Sequence, residues 1–360
     1  ASTTVYDELL IADCSFNMGS GVYGIYCVGT REPRIERCTF QNTSSGCGIY
    51  FKDCVSPFLF QCIFKGTTYT GRAVYYPGTG NGTDAGLILR DSEIMGWDKG
   101  VEIVGCDWLC VEGCTIDYNN QSFKIAAQDG AFISGNYLGS LGATAALWIT
   151  YDSSAVSPSY CDKIIVEGNT FTGHYTGGNT YDNVLIDGST SSDSIQFRNN
   201  AFTFYTRYGL NVTMTNTRLS VTGNSFVQRP TFGVSPFYST LGASDSGFAI
   251  KDNYFTNGAT ISGMNLSAIC KLVQDNIGCG LKASGQVIIG VGASTSTFAH
   301  GITGYTPSAL DVYLPPTNQP AATAVPYVSA IDATNCTINT VNNVATSAAG
   351  INYQISRYKA

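Results

Sequence analysis

The sequence is poor in charge. Of its 360 residues only 12% are Asp, Glu, Lys or Arg, and acids outnumber bases, giving a net charge of −7. Such a chain offers no broad basic surface to nucleic acid or to anionic membranes, and neither is expected as a partner. Histidine is scarcer still, with only His174 and His300. A Ser-His-Asp centre is therefore not expected. No apolar run is long enough to span a bilayer, so membrane insertion is not expected. No secretory leader is visible, although the chain opens inside a strand pattern and is expected to be a fragment or a processed product. No carboxylate cluster with calcium-loop spacing stands out. Cysteine, by contrast, is plentiful: there are 13, an odd count. Cys106, Cys110 and Cys114 do not read as a metal site, because Cys114 should face inward and Cys110 outward. The cysteines are expected to be reduced and packed as small apolar side chains, and no metal or cofactor is expected.

What the chain does have is a repeat. Val166-Glu167-Gly168-Asn169-Thr170-Phe171 recurs in variant form from end to end of residues 1–280. Earlier copies read IADCSF, IERCTF, LFQCIF, LRDSEI, VEGCTI and ISGNYL; later ones read FRNNAF, VTGNSF, IKDNYF and LVQDNI. The pivot residues are Cys14, Cys38, Cys62, Ser92, Cys114, Asn136, Asn169, Asn200, Asn224, Asn253 and Asp275. A period of this length signals stacked supersecondary units. Apolar residues alternate in each copy, so the unit is a strand. Gly, Asn, Asp, Gln or Arg precedes every pivot, where a sharp bend with positive φ is expected. Asn amides stacked in such a column would bond to the coils on either side.

A second strand begins roughly ten residues after each pivot, as in Gly24-Ile25-Tyr26-Cys27, Gly48-Ile49-Tyr50-Phe51 and Ala146-Leu147-Trp148-Ile149. Two or three short strands per coil over about eleven coils describe an all-β, single-stranded parallel β-helix, expected over residues 1–280. From 281 to 360 the pattern changes to alternating strands with turn breaks, expected to form a small antiparallel β domain.

The C-terminal segment HGITGYTPSALDVYLPP, with YVSAIDATNCTINT and GINYQISRYKA, is similar to the C-terminal β domain of bacteriophage tailspikes and tail fibres. The Asn-ladder coils before it resemble the trimeric right-handed β-helix body of tailspike depolymerases. The resemblance implies a homotrimer in a virion tail, folded in the bacterial host cytoplasm, that acts on bacterial surface polysaccharide at the host cell surface. It also implies that a particle-binding domain, absent from this sequence, precedes it. The coil motif specifies the fold more than the activity, since lyases and epimerases share it. Endo-glycoside hydrolysis is the leading expectation. A polysaccharide lyase and a non-catalytic glycan-binding spike are the alternatives.

The repeat also assigns faces. Residues four before each pivot should point outward and form an apolar stripe: Leu10, Arg34, Phe58, Ile88, Cys110, Phe132 and Ile165, followed by Gln196, Ser220 and Ala249. Such a stripe calls for a partner, here further copies of the chain. Two positions later, Arg90 should pair with Glu112 and Glu167 with Arg198. On the second strand the outward positions are read as Tyr26, Tyr50, Tyr76, Glu102, Lys124, Trp148, Asp187 and Asn211. Rings beside polar groups suit carbohydrate. Glycoside hydrolysis needs two carboxyl groups, about 5 Å apart for retention and roughly 6.5–9.5 Å for inversion. Asp152 and Asp129 both follow the second strand nearly in register and are the expected acid/base pair. Glu102 is third, with Asp107, Asp117 and Asp187 also in play. Trp148, Tyr151, Lys124, Tyr76, Arg72 and His174 are the expected substrate-binding residues. In a lyase, Arg72, Lys124 and His174 would supply charge neutralisation and base.

Overall fold

The computed structural model describes residues 6–78, 86–142, 145–151, 161–173, 181–188, 192–213, 217–227, 235–239, 247–256, 261–262, 270–274, 276, 282–289, 295–299, 312–314, 326–332, 335–340 and 349–356. Each coil contributes three short strands, such as Phe58–Phe60, Ile63–Gly66 and Arg72–Pro77. They stack into three long sheets. The first has eleven strands, from Leu10–Ala12 to Cys270–Gln274; the second has ten, from Ser15–Met18 to Tyr254–Phe255. The third has ten, from Tyr23–Val28 to Ile261–Ser262. Neighbouring strands within each are parallel, as in Asp107–Glu112 beside Asp129–Ser134. The result is a right-handed single-stranded parallel β-helix.

The bends lie where the sequence places them. Asp13, Arg37, Gln61, Asp91, Asn199 and Asp252 precede pivots and have φ between 48° and 56°; Gly113, Gly135, Gly168 and Gly223 have φ between 64° and 68°. The pivots then form one hydrogen-bonded column. Asn169 Nδ2 donates to the Ile133 carbonyl at 2.8 Å and to Asn200 Oδ1 at 3.0 Å. Its own Oδ1 accepts from the backbone and amide nitrogens of Asn136, both at 2.9 Å. The Cys62 and Cys114 thiols address the equivalent carbonyls of Ile35 and Leu89 at 3.4 and 3.6 Å. Thiol and amide thus perform the same local job with different reach. The last pivot is Asn276, not Asp275: Asn276 Oδ1 accepts from Asn253 and Nδ2 donates to Ile250. A bulge at Phe248/Ala249 shifts the register by one residue.

Inside, the residue two after the pivot forms an aromatic column. Phe16, Phe40 and Phe64 stack at 4.9 and 4.6 Å, and Phe171, Phe202, Phe226 and Phe255 at 5.1, 4.4 and 4.9 Å. Gly48 faces this column: a Cβ there would stand 2.5 Å from the Ala73 carbonyl and 3.0 Å from the Phe64 ring. Of the expected surface ion pairs, Arg90–Glu112 forms at 3.1 Å. Glu167 and Arg198 are register neighbours, but Arg198 hydrogen-bonds Gln196 on its own strand instead. A neutral partner two residues away costs less side-chain ordering than a cross-coil pair in water.

Beyond the coils lie two three-stranded antiparallel sheets. In one, Ala349–Ser356 pairs with Lys282–Ile289 and Val312–Tyr313; in the other, Asn335–Thr340 is flanked by Thr295–Ala299 and Pro326–Ile331. Cys336 and Ile338 are buried there. His300 and His174 lie outside the described residues.

Candidate functional site at the corner between the third and first sheets

Three acids stand in register on consecutive coils. Asp107, Asp129 and Asp162 each open a strand of the first sheet and pair directly, Asp107 with Asp129 and Asp129 with Asp162. Adjacent rungs of such a ladder are about 4.8 Å apart, and alternate rungs about twice that. Like charges directly opposite one another are destabilising, so the fold gains nothing from this arrangement. Lys163 relieves part of it: Nζ lies 3.0 Å from Asp129 Oδ1 and 4.0 Å from Asp162 Oδ2. The backbone beneath is fixed by Gln128, whose Nε2 donates to the carbonyls of Asp107 and Gly130 at 3.0 and 3.1 Å. Trp108, beside Asp107, exposes 42% of its surface. Asp162 and Lys163 also line a cleft of about 340 Å³ with Ser194, Gln196, Arg218 and Ser220.

In chain order, segments 79–85 and 152–160 both join the third sheet to the first, the second leading directly to Asp162. Asp152 belongs to the second segment and lies outside the described residues. Asp162, Lys163 and Trp108 are functional candidates that sequence reasoning passed over. The signal was available: Asp107, Asp129 and Asp162 each stand seven residues before a pivot, and Asp193 does so in the next coil.

The outer face of the third sheet leads to this corner. Its central outward column runs Tyr26, Tyr50, Tyr75, Glu102, Lys124, Trp148, Leu185, Asn211, Tyr238. Tyr75, not Tyr76, occupies the third position. Tyr76 is fully buried and its hydroxyl donates to the Cys54 carbonyl, so it cannot contact a ligand. Two tyrosines in tandem fit the spacing equally, and only the pairing of Tyr75 with Tyr50 decides between them. Likewise Leu185 takes the position expected of Asp187. Asp187 lies two residues on and accepts from Trp148 Nε1 at 2.7 Å. Tyr151 is half-buried next to Gly188, where a Cβ would lie 2.8 Å from the Tyr151 Cβ.

Glu102 is nearly sealed from water under three cations. Arg72 Nε, Lys99 Nζ and Lys124 Nζ reach its oxygens at 2.6, 3.1 and 3.2 Å. Burial alone would raise its pKa, but the Arg72 hydrogen bond and the charges of Lys99, Arg72 and Lys124 outweigh it and hold the group below 4.5. The Lys124 ammonium also lies 5.1 Å from the Trp148 ring centre. Asp182 is a second sealed carboxylate, held by Arg207 Nε and Asn211 Nδ2, both at 2.8 Å. Asp117 is buried on the second sheet, bonded to the Tyr118 backbone at 2.7 Å and remote in register from the corner.

These features define the class: a right-handed parallel β-helix with an acid ladder at one corner and an aromatic, cation-bearing flank. No protein-family profile matches the chain, and no curated protein does. Among solved structures it is similar to a point mutant of the tailspike protein of Escherichia coli bacteriophage HK620 in complex with a pentasaccharide. That likeness has 13% identity and a TM-score of 0.54, and covers 99% of this chain and 72% of the other. It shows a shared fold. Tailspike gp49 of Pseudomonas phage LKA1 follows at 14% identity and TM-score 0.38, with 99% and 68% covered. A periplasmic alginate epimerase has 12% identity and TM-score 0.33, with 77% and 79% covered.

Proposed function

We propose that this chain is the body of a trimeric phage tailspike that binds and cleaves a bacterial surface polysaccharide by endo-glycoside hydrolysis. The observation that carries the proposal is the set of three in-register carboxylates, the last of which, Asp162, lines the adjoining cleft. The rung separation of about 4.8 Å between neighbours is close to that of retaining glycosidases, and the doubled separation falls at the upper end of the inverting range. Asp129 and Asp162 are the first pair in this reading, with Asp107 beyond them and Asp152 supplied by the adjoining segment. Lys163 positions Asp129. Trp108, Trp148 and Tyr151 hold sugar rings. Glu102, Arg72 and Lys124 serve binding; proton transfer is left to the ladder.

The test incubates the protein with the capsule or O-antigen of a matched host, reading new reducing ends and the ultraviolet absorbance of unsaturated sugar. Reducing ends without absorbance support hydrolysis. Both together mean lyase chemistry, for which the Lys163–Asp129 pair offers a base and a cation. Neither, with binding retained, leaves a non-catalytic receptor spike. Asp129→Asn and Asp162→Asn should each lower turnover by about 100-fold or more with binding unchanged. A wild-type rate in both variants overturns the assignment of the ladder.

A further inference from the structure

A second site stands away from the acid ladder, near the start of the coils. A cavity of about 140 Å³ opens on the outer face of the third sheet, lined by Tyr23, Tyr50, Tyr75, Arg72, Cys47 and Ser45 among others. Three rings wall it: Tyr23 and Tyr50 lie edge to face at 5.3 Å, and Tyr50 and Tyr75 likewise at 5.4 Å. Arg72 stacks on Tyr75 with its guanidinium carbon 4.4 Å from the ring centre. It spends only Nε on Glu102; among the described residues Nη1 and Nη2 hold no partner, and the side chain is 41% exposed. Lys99 is the register neighbour of Arg72 on the next coil, and Lys124 the neighbour of Glu102. Three cations around one carboxylate leave two positive charges in excess, in a chain whose net charge is −7.

We infer that this cavity binds a carboxylate-bearing sugar residue, its carboxylate on the open edge of Arg72 and its ring against Tyr50 and Tyr75. Glu102 has a defined part: it aligns the three cations and leaves the outer edge of the guanidinium free for bidentate contact. Stacked aromatics supply the apolar contact that sugar C–H faces require. Burial pushes the Cys47 thiol up to about 12, so it is a neutral wall of the cavity and not a nucleophile. The inference rests on the glycan-binding reading above and adds the acidic character of the glycan and a contact point distinct from the cleaving corner.

Trigalacturonate and maltotriose serve as probes, compared by saturation-transfer NMR on the full chain. Trigalacturonate should give the signal and maltotriose should not, and the signal should weaken as salt rises. Arg72→Ala should abolish it, while Asp129→Asn should leave it intact. Tyr23→Ala, at the exposed rim, supplies a second variant if Arg72→Ala fails to fold by circular dichroism. Equal signals from both probes, no trigalacturonate signal, or a signal surviving in a folded Arg72→Ala or in Tyr23→Ala overturns the inference. Turnover of the host polysaccharide, assayed on the same preparations, reports separately on the proposed function. An active enzyme that ignores trigalacturonate refutes only the acidic-sugar site.

Discussion

Glu102 sits on the outer face of a sheet yet is 4% exposed, because three cationic side chains close over it. Removing the charge with Glu102→Gln would leave those cations facing one another. Breaking a buried ion pair costs about 3–5 kcal/mol; the partial exposure of Arg72 lowers the expected loss to about 2–3 kcal/mol. Chemical denaturation at neutral pH measures it. The pH dependence has a definite sign. The folded pKa of Glu102 lies below the ordinary 4.5, so its contribution is complete above that value and is lost as pH falls through the folded pKa. The stability gap between wild type and Glu102→Gln should therefore narrow as pH drops below 4.5. A gap that stays constant down to acid unfolding refutes the account.

At the scale of the element, the pivot column lets two chemistries be compared in one position. Asn169 is 1% exposed and supplies both a donor and an acceptor to neighbouring coils. Asn169→Ala strands the Asn136 backbone N–H and the Ile133 carbonyl, at a cost of about 1–3 kcal/mol for each group left unsatisfied. Cys62→Ala loses a small apolar group and two long thiol contacts of 3.4 and 3.5 Å, which should cost about 1 kcal/mol. Guanidinium unfolding midpoints should rank wild type above Cys62→Ala and both above Asn169→Ala. Equal losses would mean that the amides bond no better than the thiols. The same column explains what the sequence made legible. A bend needs positive φ and a small or polar pivot, and both are single-residue properties, so the coils, the inward phenylalanines and the outward stripe can all be read from the repeat. Register between coils is not a single-residue property. Tyr75 and Tyr76 satisfy one spacing equally, and Asp275 and Asn276 differ only by a distant bulge. The acid ladder was half legible: Asp129 and Asp107 were in view, while Asp162 needed the count back from Asn169, across a connection where coil length varies.

The whole molecule presents the first sheet's outer face in two parts. In the earlier coils it is largely apolar, with Leu10 61% and Phe132 39% exposed and Phe58, Phe60, Ile88 and Ile165 half-buried, interrupted by Arg34 and the Arg90–Glu112 pair. At Gln196 and Ser220 the same column is polar, and with Ala249 these residues line the cleft beside the ladder. The apolar side chains from Phe58 to Ile165 call for a cover, and the coils cannot fold that face inward without breaking their strands. Three identical stripes meeting about a three-fold axis would cover it and leave the cleft beside Gln196 and Ser220 open. Light scattering after gel filtration should then report three chain masses of 38.3 kDa each. Phe132→Asp combined with Ile165→Asp should shift this to one mass with the β circular-dichroism signal retained, because both side chains point out of the coil. A wild-type chain that elutes at a single mass would overturn the trimer and leave the stripe as surface bordered only by its own loops.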